Sequence, residues 1–315
     1  MTISPQTYDS DKNLLWGVCY RMTGSAADAD DIVHDTFVKA IERSPSDSTA
    51  PLRPWLLKVA MNLSRDQLRR RRRTEYFGPW LPSPVLTEVD GPLATEPHAR
   101  EMSPVARYDL HESVTLAFLL ALEALTPVQR AVLLLRDVFD YSTTETAETL
   151  HMTEVNVKVT LHRARRVMST YDKGRAAALN KANNEMRRTL EQFLKHLGDG
   201  DVQGLEQLLA EDVILVSDGG GEINALAEPM YGRTKVLRLI SKLYEAFRSV
   251  TNTSLHLING QPAVVVQRSK VQPGHASFYT MHCELDETSH VRRLHFVFAP
   301  SKLLVLKQSL DFKIT

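Results

Sequence analysis

The sequence predicts a multidomain protein in which two all-α helical domains precede an α+β domain with a curved mixed sheet. Apolar residues recur at three- and four-residue steps up to Lys173, as expected for packed helices. A proline- and glycine-rich stretch at residues 74–102 interrupts that period and predicts a linker. Towards the C-terminus the helical pattern gives way to apolar runs on both sides of Asn259-Gly260, a pair typical of a hairpin turn.

The composition fits two or three globular domains with no overall attraction to nucleic acid. The chain has 315 residues, and its 38 lysines and arginines balance 38 aspartates and glutamates, so any DNA affinity must come from local clusters. Its 2 cysteines, Cys19 and Cys283, lie in apolar contexts, which argues against a disulfide framework or a thiolate metal site. Residues 1–12 are polar, and no apolar run is long enough to span a bilayer. We therefore expect a soluble cytoplasmic protein without a metal or cofactor.

The first helical domain carries an acidic and polar helix face. The inward stripe of its first helix, which ends near Gly24, consists of Leu14, Leu15, Val18 and Met22. Ser25 lies at capping distance before a second helix at residues 28–41. That helix buries Ala29, Ile32, Val33, Phe37 and Ala40, and its opposite side carries Asp28, Asp31, His34 and Asp35. The acids either complement the helix dipole or form a surface that docks a basic partner.

A third helix follows a polar loop at residues 44–53 and runs into an arginine cluster. Pro54 suits its first position. Its inward residues are Trp55, Leu56, Val59, Ala60 and Leu63, and its other faces carry Asn62, Arg65, Asp66 and Arg69. Residues 69–73 are all arginine, and we expect their mutual repulsion to need a polyanion to offset it. The alternative is a solvated basic tail.

Residues 143–168 predict a helix-turn-helix. Ser142 and Glu145 have capping-box spacing, His151-Met152 makes the turn, and Thr153 can cap the next helix. The inward face of that second helix consists of Val157, Leu161, Ala164 and Met168. To the sides or opposite lie Lys158, Val159, His162, Arg163 and Arg166, where a DNA major groove could receive them. The alternative is an ordinary helical hairpin with a solvated basic face.

Three segments in this order resemble the extracytoplasmic-function sigma factors of RNA polymerase. Residues 24–37, GSAADADDIVHDTF, are similar to the helix with which that family binds core polymerase. Residues 53–56 and 62–69 are similar to its promoter −10 segment. Residues 122–130, 138–141, 157–158 and 163–165 are similar to its region 4, which recognises the −35 element. The resemblance covers roughly the first half of the chain.

This resemblance implies partners and contact residues. Core RNA polymerase would bind Asp28, Asp31, His34, Asp35 and Phe37. Promoter DNA at the −10 element would bind Asn62, Arg65, Arg69 and Arg70, with the loop at residues 44–53 forming a pocket for an unstacked base. Promoter DNA at the −35 element would bind Lys158, Val159, His162, Arg163 and Arg166. The chain would select promoters for polymerase without breaking a covalent bond itself.

The C-terminal part predicts helices followed by strands. A helix closed by Gly198 carries Met186, Leu190, Phe193, Leu194 and Leu197 on its apolar side. Helices are also predicted at residues 201–209 and 235–247, and strands at 213–217, 253–258, 263–267, 278–285, 291–299 and 303–307. This order resembles the SnoaL-like superfamily of cone-shaped α+β domains. The predicted boundaries are 1–75 for region 2, 76–110 for the linker, 111–172 for region 4 and 180–315 for the SnoaL-like domain.

Two local motifs resemble those of sigma factors with a fused SnoaL-like extension. They are Trp80-Leu81-Pro82-Ser83-Pro84 in the linker and Asp218-Gly219-Gly220-Gly221 in the extension. Ser83 and Glu222 replace an acidic residue and a lysine that are common in such motifs, so we expect apolar rather than polar docking between them. The docked extension would then act as a built-in regulator. The simpler alternatives are a flexible glycine loop and an adventitious linker tryptophan.

Other functions stay open from the sequence alone. The cone could be an enzyme, with His256, His275, His282, His290, His295 and Asp286 as candidates by chemistry, although no spacing compels an acid–base dyad. It could instead hold an unknown small ligand in a sensing pocket. The whole chain could also be a conventional DNA-binding regulator that acts without polymerase.

Overall fold

The computed structural model divides the chain into two compact units. It describes residues 5–42, 52–87, 93, 107–180, 183–247, 250–269 and 271–311. Unit 1 combines Met1–Glu75 with Thr87–Tyr171, and unit 2 combines Tyr76–Leu86 with Asp172–Thr315. Of the predicted −10 loop, residues 44–51 lie outside the described residues, and the next two begin a helix. None of the described helices is both long and apolar enough to cross a membrane.

Unit 1 begins with the three predicted helices. They are α1 at Pro5–Thr23, α2 at Ala26–Glu42 and α3 at Leu52–Arg71. The turn between α1 and α2 forms as its sequence indicates, because Gly24 has φ of +67° and Ser25 Oγ accepts from the backbone N of Asp28 at 3.2 Å. The predicted apolar stripes of α1 and α2 are buried. In α3 the prediction is only partly right: Leu56 and Ala60 are buried, whereas Trp55, Val59 and Leu63 are half-buried and the buried side continues through Leu57, Met61 and Leu68. The predicted helices of this region are confirmed.

The second half of unit 1 is a helical module that ends in the predicted helix-turn-helix. A 3₁₀ turn at Glu112–Val114 precedes α4 at Leu116–Leu122, α5 at Pro127–Leu133 and a π turn at Leu134–Val138. The helix-turn-helix consists of α6 at Thr143–Leu150 and α7 at Glu154–Asn180. Its capping box forms: Ser142 Oγ accepts from Glu145 N at 3.1 Å, and Glu145 Oε2 accepts from Ser142 N at 2.7 Å. His151 ends α6 at φ +53°, so the turn forms without a glycine.

Two buried arginines join the helical halves of unit 1. Arg130 of α5 is 1% exposed and donates to the backbone O of Met22, at the C-terminal end of α1, at 2.7 Å. In the opposite direction, Arg21 of α1 donates to Ser113 Oγ at 2.6 Å and to Leu110 O at 3.1 Å. A guanidinium withdrawn from water needs acceptors with fixed geometry, so these contacts hold the two halves in one arrangement.

Unit 2 contains a six-stranded mixed sheet. Its helices are α8 at Asn183–Asp199, α9 at Val202–Leu208, α10 at Arg233–Phe247 and α11 at Pro300–Asp311. Its strands are β1 at Leu209–Asp218, β2 at Met230–Tyr231, β3 at Val250–Ile258, β4 at Gln261–Arg268, β5 at Phe278–Leu285 and β6 at Val291–Val297. The strand order is β2-β1-β6-β5-β4-β3, with β1 and β6 parallel and the other neighbours antiparallel. Helices α8, α9 and α10 share one apolar core with the sheet.

The Asn-Gly hairpin and the docked linker are both present in unit 2. Asn259 and Gly260 adopt φ of +53° and +70° between β3 and β4, which confirms the predicted turn. In the linker segment, Leu81, Val85 and Leu86 are each 1% exposed. Leu86 forms an antiparallel bridge with Ile258, the last residue of β3. The linker therefore contributes to the core of unit 2 although it follows α3 in the chain.

Several sequence predictions for unit 2 are wrong in detail. Residues 303–307 are not a strand but part of α11, in which Leu303, Leu306 and Leu310 are buried at helical spacing. A short apolar run fits either period, and Pro300 suits a helix start. Gly198 does not close α8, which ends one residue later before Gly200 at φ +68°. The two-residue β2 has no period to detect and was not predicted.

We predict opposite stability effects for alanine at two glycines of unit 2. A Cβ at Gly219 would lie 2.1 Å from the backbone O of Ile223, so Gly219→Ala should destabilise the unit by about 1–3 kcal/mol through overpacking. A Cβ at Gly198 would meet nothing within 4 Å inside a helix, so Gly198→Ala should add roughly 0.5–1 kcal/mol. Urea unfolding of the full chain measures both changes. Equal effects of the two variants would contradict the steric argument.

Candidate nucleic-acid interface and linker anchor

The outer face of α7 presents the side chains predicted to contact duplex DNA. Lys158, Val159, His162, Arg163 and Arg166 are all exposed, and Val157, Leu161, Ala164 and Met168 are all buried. This alternation follows from the helical period. Val155, one turn before Val159, is 68% exposed and was missed, because the predicted face began at Lys158. An exposed apolar side chain at this position suits contact with a thymine methyl group.

One arginine of α7 has a structural partner. Arg165 donates to both carboxylate oxygens of Asp137, at 2.9 Å and 2.6 Å. Asp137 is 1% exposed, and its hydrogen bonds raise the pKa of Arg165 above the ordinary arginine value. The three residues of the motif at 163–165 therefore have different roles. Arg163 is exposed and Ala164 packs inward. Arg165 attaches α7 to the π turn at Leu134–Val138.

The −10 candidates lie along the C-terminal half of α3. Arg65 is half-buried, and its Nη1 donates to Asn62 Oδ1 at 3.5 Å. Burial and the neighbouring charge of Arg69 lower the pKa of Arg65. Arg69 and Arg70 are exposed and hold only local partners, Asp66 Oδ1 at 2.8 Å and Gln67 Oε1 at 2.7 Å. Exposed contacts of this kind contribute at most about 1 kcal/mol, so phosphate oxygens can replace them.

The expectation that all five arginines at residues 69–73 need a polyanion is wrong. Arg71 donates to the backbone O of Thr23 at 2.7 Å and pairs with Glu123 Oε2 at 2.6 Å. Arg72 donates to the backbone O of Leu125 at 2.5 Å. These two arginines therefore join the halves of unit 1. The exposed members of the run are Arg69, Arg70, Arg72 and Arg73.

The acidic face of α2 is exposed as predicted at three of its four positions. Asp31, His34 and Asp35 are exposed, and half-buried Asp28 accepts from Gln67 Nε2 at 2.8 Å. Phe37 is only 5% exposed, so its side chain belongs to the core, and its assignment to the polymerase-binding surface is wrong in this structure. The apolar side chains of Val38 and Ile41, 37% and 66% exposed, were missed at the end of the same helix. The sequence could have indicated both residues, because they are apolar and lie at helix positions outside the buried stripe.

Asp218, the last residue of β1, anchors the linker. It is fully buried, and its carboxylate accepts from the Tyr76 hydroxyl at 2.6 Å, from the backbone N of Leu81 at 2.7 Å and from Lys302 Nζ at 2.5 Å. Lys302 Nζ also donates to the backbone O of Leu81 at 2.6 Å and lies 4.5 Å from the Trp80 ring centroid. The expectation of purely apolar docking is therefore wrong. The polar partners come from positions other than Ser83 and Glu222.

The remaining motif residues shape this anchor. Pro82 is buried beside Leu81 in the linker. Gly220 and Gly221 have φ of +63° and +77°, and Gly220 N donates to Asp218 Oδ1 at 2.9 Å. Gly219 has no room for a side chain. The three glycines therefore let the chain turn tightly around the buried carboxylate, which is why a plain flexible loop does not describe them.

Four of the six candidate catalytic residues of the cone form two separate pairs, while His256 contacts Ser254 Oγ at 2.9 Å and His275 contacts the backbone O of Pro273 at 3.4 Å. His282 and His295 face each other across β5 and β6, and burial lowers the pKa of each to about 3. Both are therefore neutral at physiological pH and far from the range of an efficient proton carrier. His290 lies 4.0 Å from Asp286 in an exposed turn. Among the described residues, no group of three or more His, Cys, Asp or Glu side chains is placed to hold a metal ion.

Comparisons with known proteins match both helical halves of unit 1 and the fold of the whole chain. The family model for sigma-70 region 2 matches residues 7–74, and the model for sigma-70, region 4 matches residues 115–168. The ECF RNA polymerase sigma factor SigJ of Mycobacterium tuberculosis is 31% identical over 78% of this chain and 76% of its own length. SigG of the same species is 30% identical over 87% of this chain and 76% of its own length. The crystal structure of M. tuberculosis SigJ has a TM-score of 0.71, with 24% identity, over 96% of this chain and 99% of that one.

We predict strong coupling between Asp218 and Lys302. Asp218→Asn leaves a buried ammonium without its anion and should destabilise unit 2 by about 3–5 kcal/mol. In the double variant with Lys302→Met no buried charge is left unpaired, so its loss should be smaller than the sum of the single losses by at least about 1 kcal/mol. Urea unfolding followed by Trp80 fluorescence, with Trp16 and Trp55 replaced by phenylalanine, measures the cycle. Strictly additive losses would show that the pair is not energetically coupled.

Proposed function

The chain belongs to the extracytoplasmic-function sigma factors of RNA polymerase, and from that premise we propose which surface makes each contact. It is an alternative sigma factor that directs transcription, with core polymerase and promoter DNA as its partners. A fused SnoaL-like domain of α+β fold follows its sigma regions. Polymerase makes the RNA, so the proposed role asks no covalent chemistry of this chain, and it places the chain in the cytoplasm with the chromosome.

Core polymerase binds the outer face of α2. This face combines the carboxylates of Asp31 and Asp35 with His34 and with the exposed apolar side chains of Val38 and Ile41. Carboxylates around an apolar patch suit a basic partner that also buries apolar surface. Phe37 supports this face from the core by packing beneath it.

The −10 element is bound along α3. Arg69 and Arg70 neutralise backbone phosphates, because their present partners are exposed and weakly held. Half-buried Arg65 lies one turn before Arg69 and Asn62 two turns before it, and both approach the bases or sugars. The pocket for an unstacked base is proposed for residues 44–53 on the strength of the family resemblance alone.

The −35 element is read by α7 in the major groove. Arg163 and Arg166 present guanidinium groups that can donate two hydrogen bonds to a guanine, and Val159 presents an apolar surface to thymine. Lys158 and His162 flank them for phosphate contact. The single observation that carries this assignment is the clean division of α7 into a buried apolar face and an exposed basic face.

The free chain should bind DNA weakly. Arg21, Arg130, Arg71 and Arg72 hold regions 2 and 4 together through hydrogen bonds between them. The −10 and −35 elements lie far apart on a promoter, so one arrangement that packs both regions together is not suited to both contacts at once. Core polymerase would supply the binding free energy that separates them.

Unit 2 regulates the factor through the linker. The chain that leaves region 2 enters unit 2 at Tyr76 and returns to unit 1 after Leu86. While Asp218 and Lys302 hold this segment, the reach between regions 2 and 4 is limited. We propose that the anchor restrains the factor in place of a separate anti-sigma protein and that a small ligand of unit 2 adjusts it.

We predict that initiation depends on core polymerase and on both DNA surfaces. With purified core enzyme, the chain should start RNA at its promoters. Arg163→Ala should lower promoter binding by about 1–3 kcal/mol and relax selectivity at one −35 base pair. Arg70→Ala should weaken binding evenly across promoters and reduce the salt dependence by about one phosphate contact.

The matched control for this experiment is Arg187→Ala, which removes an exposed arginine of α8 that pairs with Glu191. It should leave transcription and promoter choice unchanged. Tight, sequence-specific duplex binding without core enzyme, combined with no RNA in its presence, would favour the alternative of a conventional DNA-binding regulator.

We predict that loosening the anchor raises transcription. Asp218→Asn, and separately Lys302→Met, should increase transcript yield with core enzyme on the order of fivefold, because each releases the linker. Point variants test this better than removal of residues 181–315, which would also expose the apolar side chains of Leu81, Val85 and Leu86. Gly198→Ala is the control for a change in unit 2 that leaves the anchor intact. An unchanged or lower yield from both anchor variants would rule out the proposed restraint.

A further inference from the structure

Unit 2 contains a cavity of about 310 Å³ on the helix-covered face of its sheet. Its wall is mainly apolar, with four aromatic rings from α8, β5, β6 and the loop after β6, namely Phe193, Tyr279, Phe296 and Phe298. Protein interiors are normally packed without voids of this size. Small-molecule sites range from about 300 to 1,000 Å³ and combine apolar walls with few polar groups. The cavity therefore has the size and wall of a binding site for a compact organic molecule.

The few polar groups of the cavity differ in their depth and in their partners. The polar side chains among the lining residues are Ser217, Asn224, Arg268, His275 and Tyr279. Asn224 and His275 are exposed, so they lie at the mouth, where water can bind them. Arg268 is half-buried and is already engaged in another interaction, so its charge does not define the ligand. Ser217 is buried, and its Oγ accepts from the backbone N of Leu226 at 2.8 Å. Tyr279 is therefore the group that decides what the deep part of the cavity can bind.

Tyr279 brings a hydrogen-bond donor into the cavity without a protein acceptor for it. Its side chain is 7% exposed, and no described residue accepts a hydrogen bond from its hydroxyl. Burial raises the pKa of Tyr279 to about 12, so the phenol keeps its proton and remains a donor. Its ring packs edge-on against Phe298 at 5.2 Å between centroids, which restricts the directions open to the hydroxyl. A donor withdrawn from water is unfavourable without an acceptor, so its partner must be a molecule within the cavity.

Water is a poor occupant of this cavity. A buried water molecule makes about three hydrogen bonds. The deep part of the lining offers the hydroxyls of Tyr279 and Ser217, and the second is already paired. A ligand with one acceptor atom satisfies the phenol with a single hydrogen bond and covers the apolar wall with the rest of its surface. Flat rings suit this wall, because the Phe296 and Phe298 rings are stacked with 5.7 Å between their centroids.

We propose that this cavity binds a neutral ring compound with a carbonyl oxygen, whose rings lie among the phenylalanines and whose oxygen accepts from the Tyr279 hydroxyl. A carboxylate would lose its hydration and gain only a neutral donor from the deep wall. An ammonium group would find no acidic side chain among the lining residues. A hydrocarbon would leave the phenol without an acceptor. This inference rests on the proposed regulatory role of unit 2 for its biological purpose, but the binding itself does not depend on that role.

The cavity adjoins the linker anchor through consecutive residues. Ser217 of β1 lines the cavity, and the next residue, Asp218, holds the linker. The backbone O of Asp218 also accepts from Phe298 N at 2.7 Å, so a residue whose ring lines the cavity is hydrogen-bonded to the anchor residue. Lys302 follows Phe298 by four residues and lies in α11. A ligand that moves Phe298 or the end of β1 would therefore change the fit of Asp218 and Lys302 on the linker.

Calorimetric titration of the full-length chain tests the ligand class with three probes that have the same number of non-hydrogen atoms. They are 2-acetylnaphthalene, 2-isopropylnaphthalene and 2-naphthoate. We expect 2-acetylnaphthalene to bind about tenfold more tightly than 2-naphthoate, because the carboxylate must lose its hydration. Tyr279→Phe should weaken the binding of 2-acetylnaphthalene about fivefold, as expected for one lost hydrogen bond. The same variant should bind 2-isopropylnaphthalene as the original chain does, which also shows that it is folded. Tyr231→Phe, which removes the hydroxyl of an exposed tyrosine of β2 outside the cavity lining, is the matched control and should change neither affinity.

Each result has a defined meaning for the proposal. No binding of 2-acetylnaphthalene, equal or tighter binding of 2-naphthoate, or an equal effect of Tyr279→Phe on both neutral probes would overturn it. A transcription assay with core enzyme and 2-acetylnaphthalene separates this proposal from the proposed function. Binding without transcription at any promoter would leave the ligand site standing and remove the proposed contacts of the sigma regions. Transcription that ignores a bound probe would remove only the regulatory link.

Discussion

A charge that leaves water must be met by fixed partners, and this constraint holds distant parts of the chain together. Arg21 and Arg130 are buried between the halves of unit 1, and each takes acceptors from the other half. Asp218 is buried in unit 2 and takes its donors from the linker and α11. Apolar packing alone would tolerate small shifts at these places. Buried charges do not, because a misplaced partner costs several kcal/mol.

This constraint favours one defined arrangement of the halves of unit 1 over a continuous range of arrangements. The contacts of Arg130 with Met22 O and of Arg71 with Thr23 O both lie at the C-terminal end of α1, where carbonyl groups have no partner within the helix. When the halves separate, water or another donor must replace Arg130 at Met22 O, whereas the contact of Arg71 with Thr23 O lies within the first half. Such contacts would suit a sigma factor whose regions 2 and 4 separate only on core polymerase. The packed arrangement is then stable alone, and the separated arrangement needs the binding free energy of a partner.

Local sequence signals predicted most helices and the exposed face of α7, because periodicity and caps are short-range properties. The faces of α2 and α7 followed from spacing alone, as did the hairpin at Asn259-Gly260. The failures share a cause. Whether Arg72 faces DNA or Leu125 O is decided by a partner 53 residues away, and the role of Lys302 depends on a carboxylate 84 residues away. Periodicity could not separate helix from strand in the short apolar run that became part of α11.

The pleat of one strand relates the two proposed functions of unit 2. Successive side chains of a strand point to opposite faces of the sheet, so Ser217 can line the cavity while Asp218 reaches the linker. Coupling then needs no long chain of residues, only a difference in ligand affinity between the anchored and released states. Because Phe298 is bonded to the backbone of Asp218, a ligand that repositions that ring meets this requirement directly. A ligand that fits the wall equally well in both states would bind without any effect on transcription.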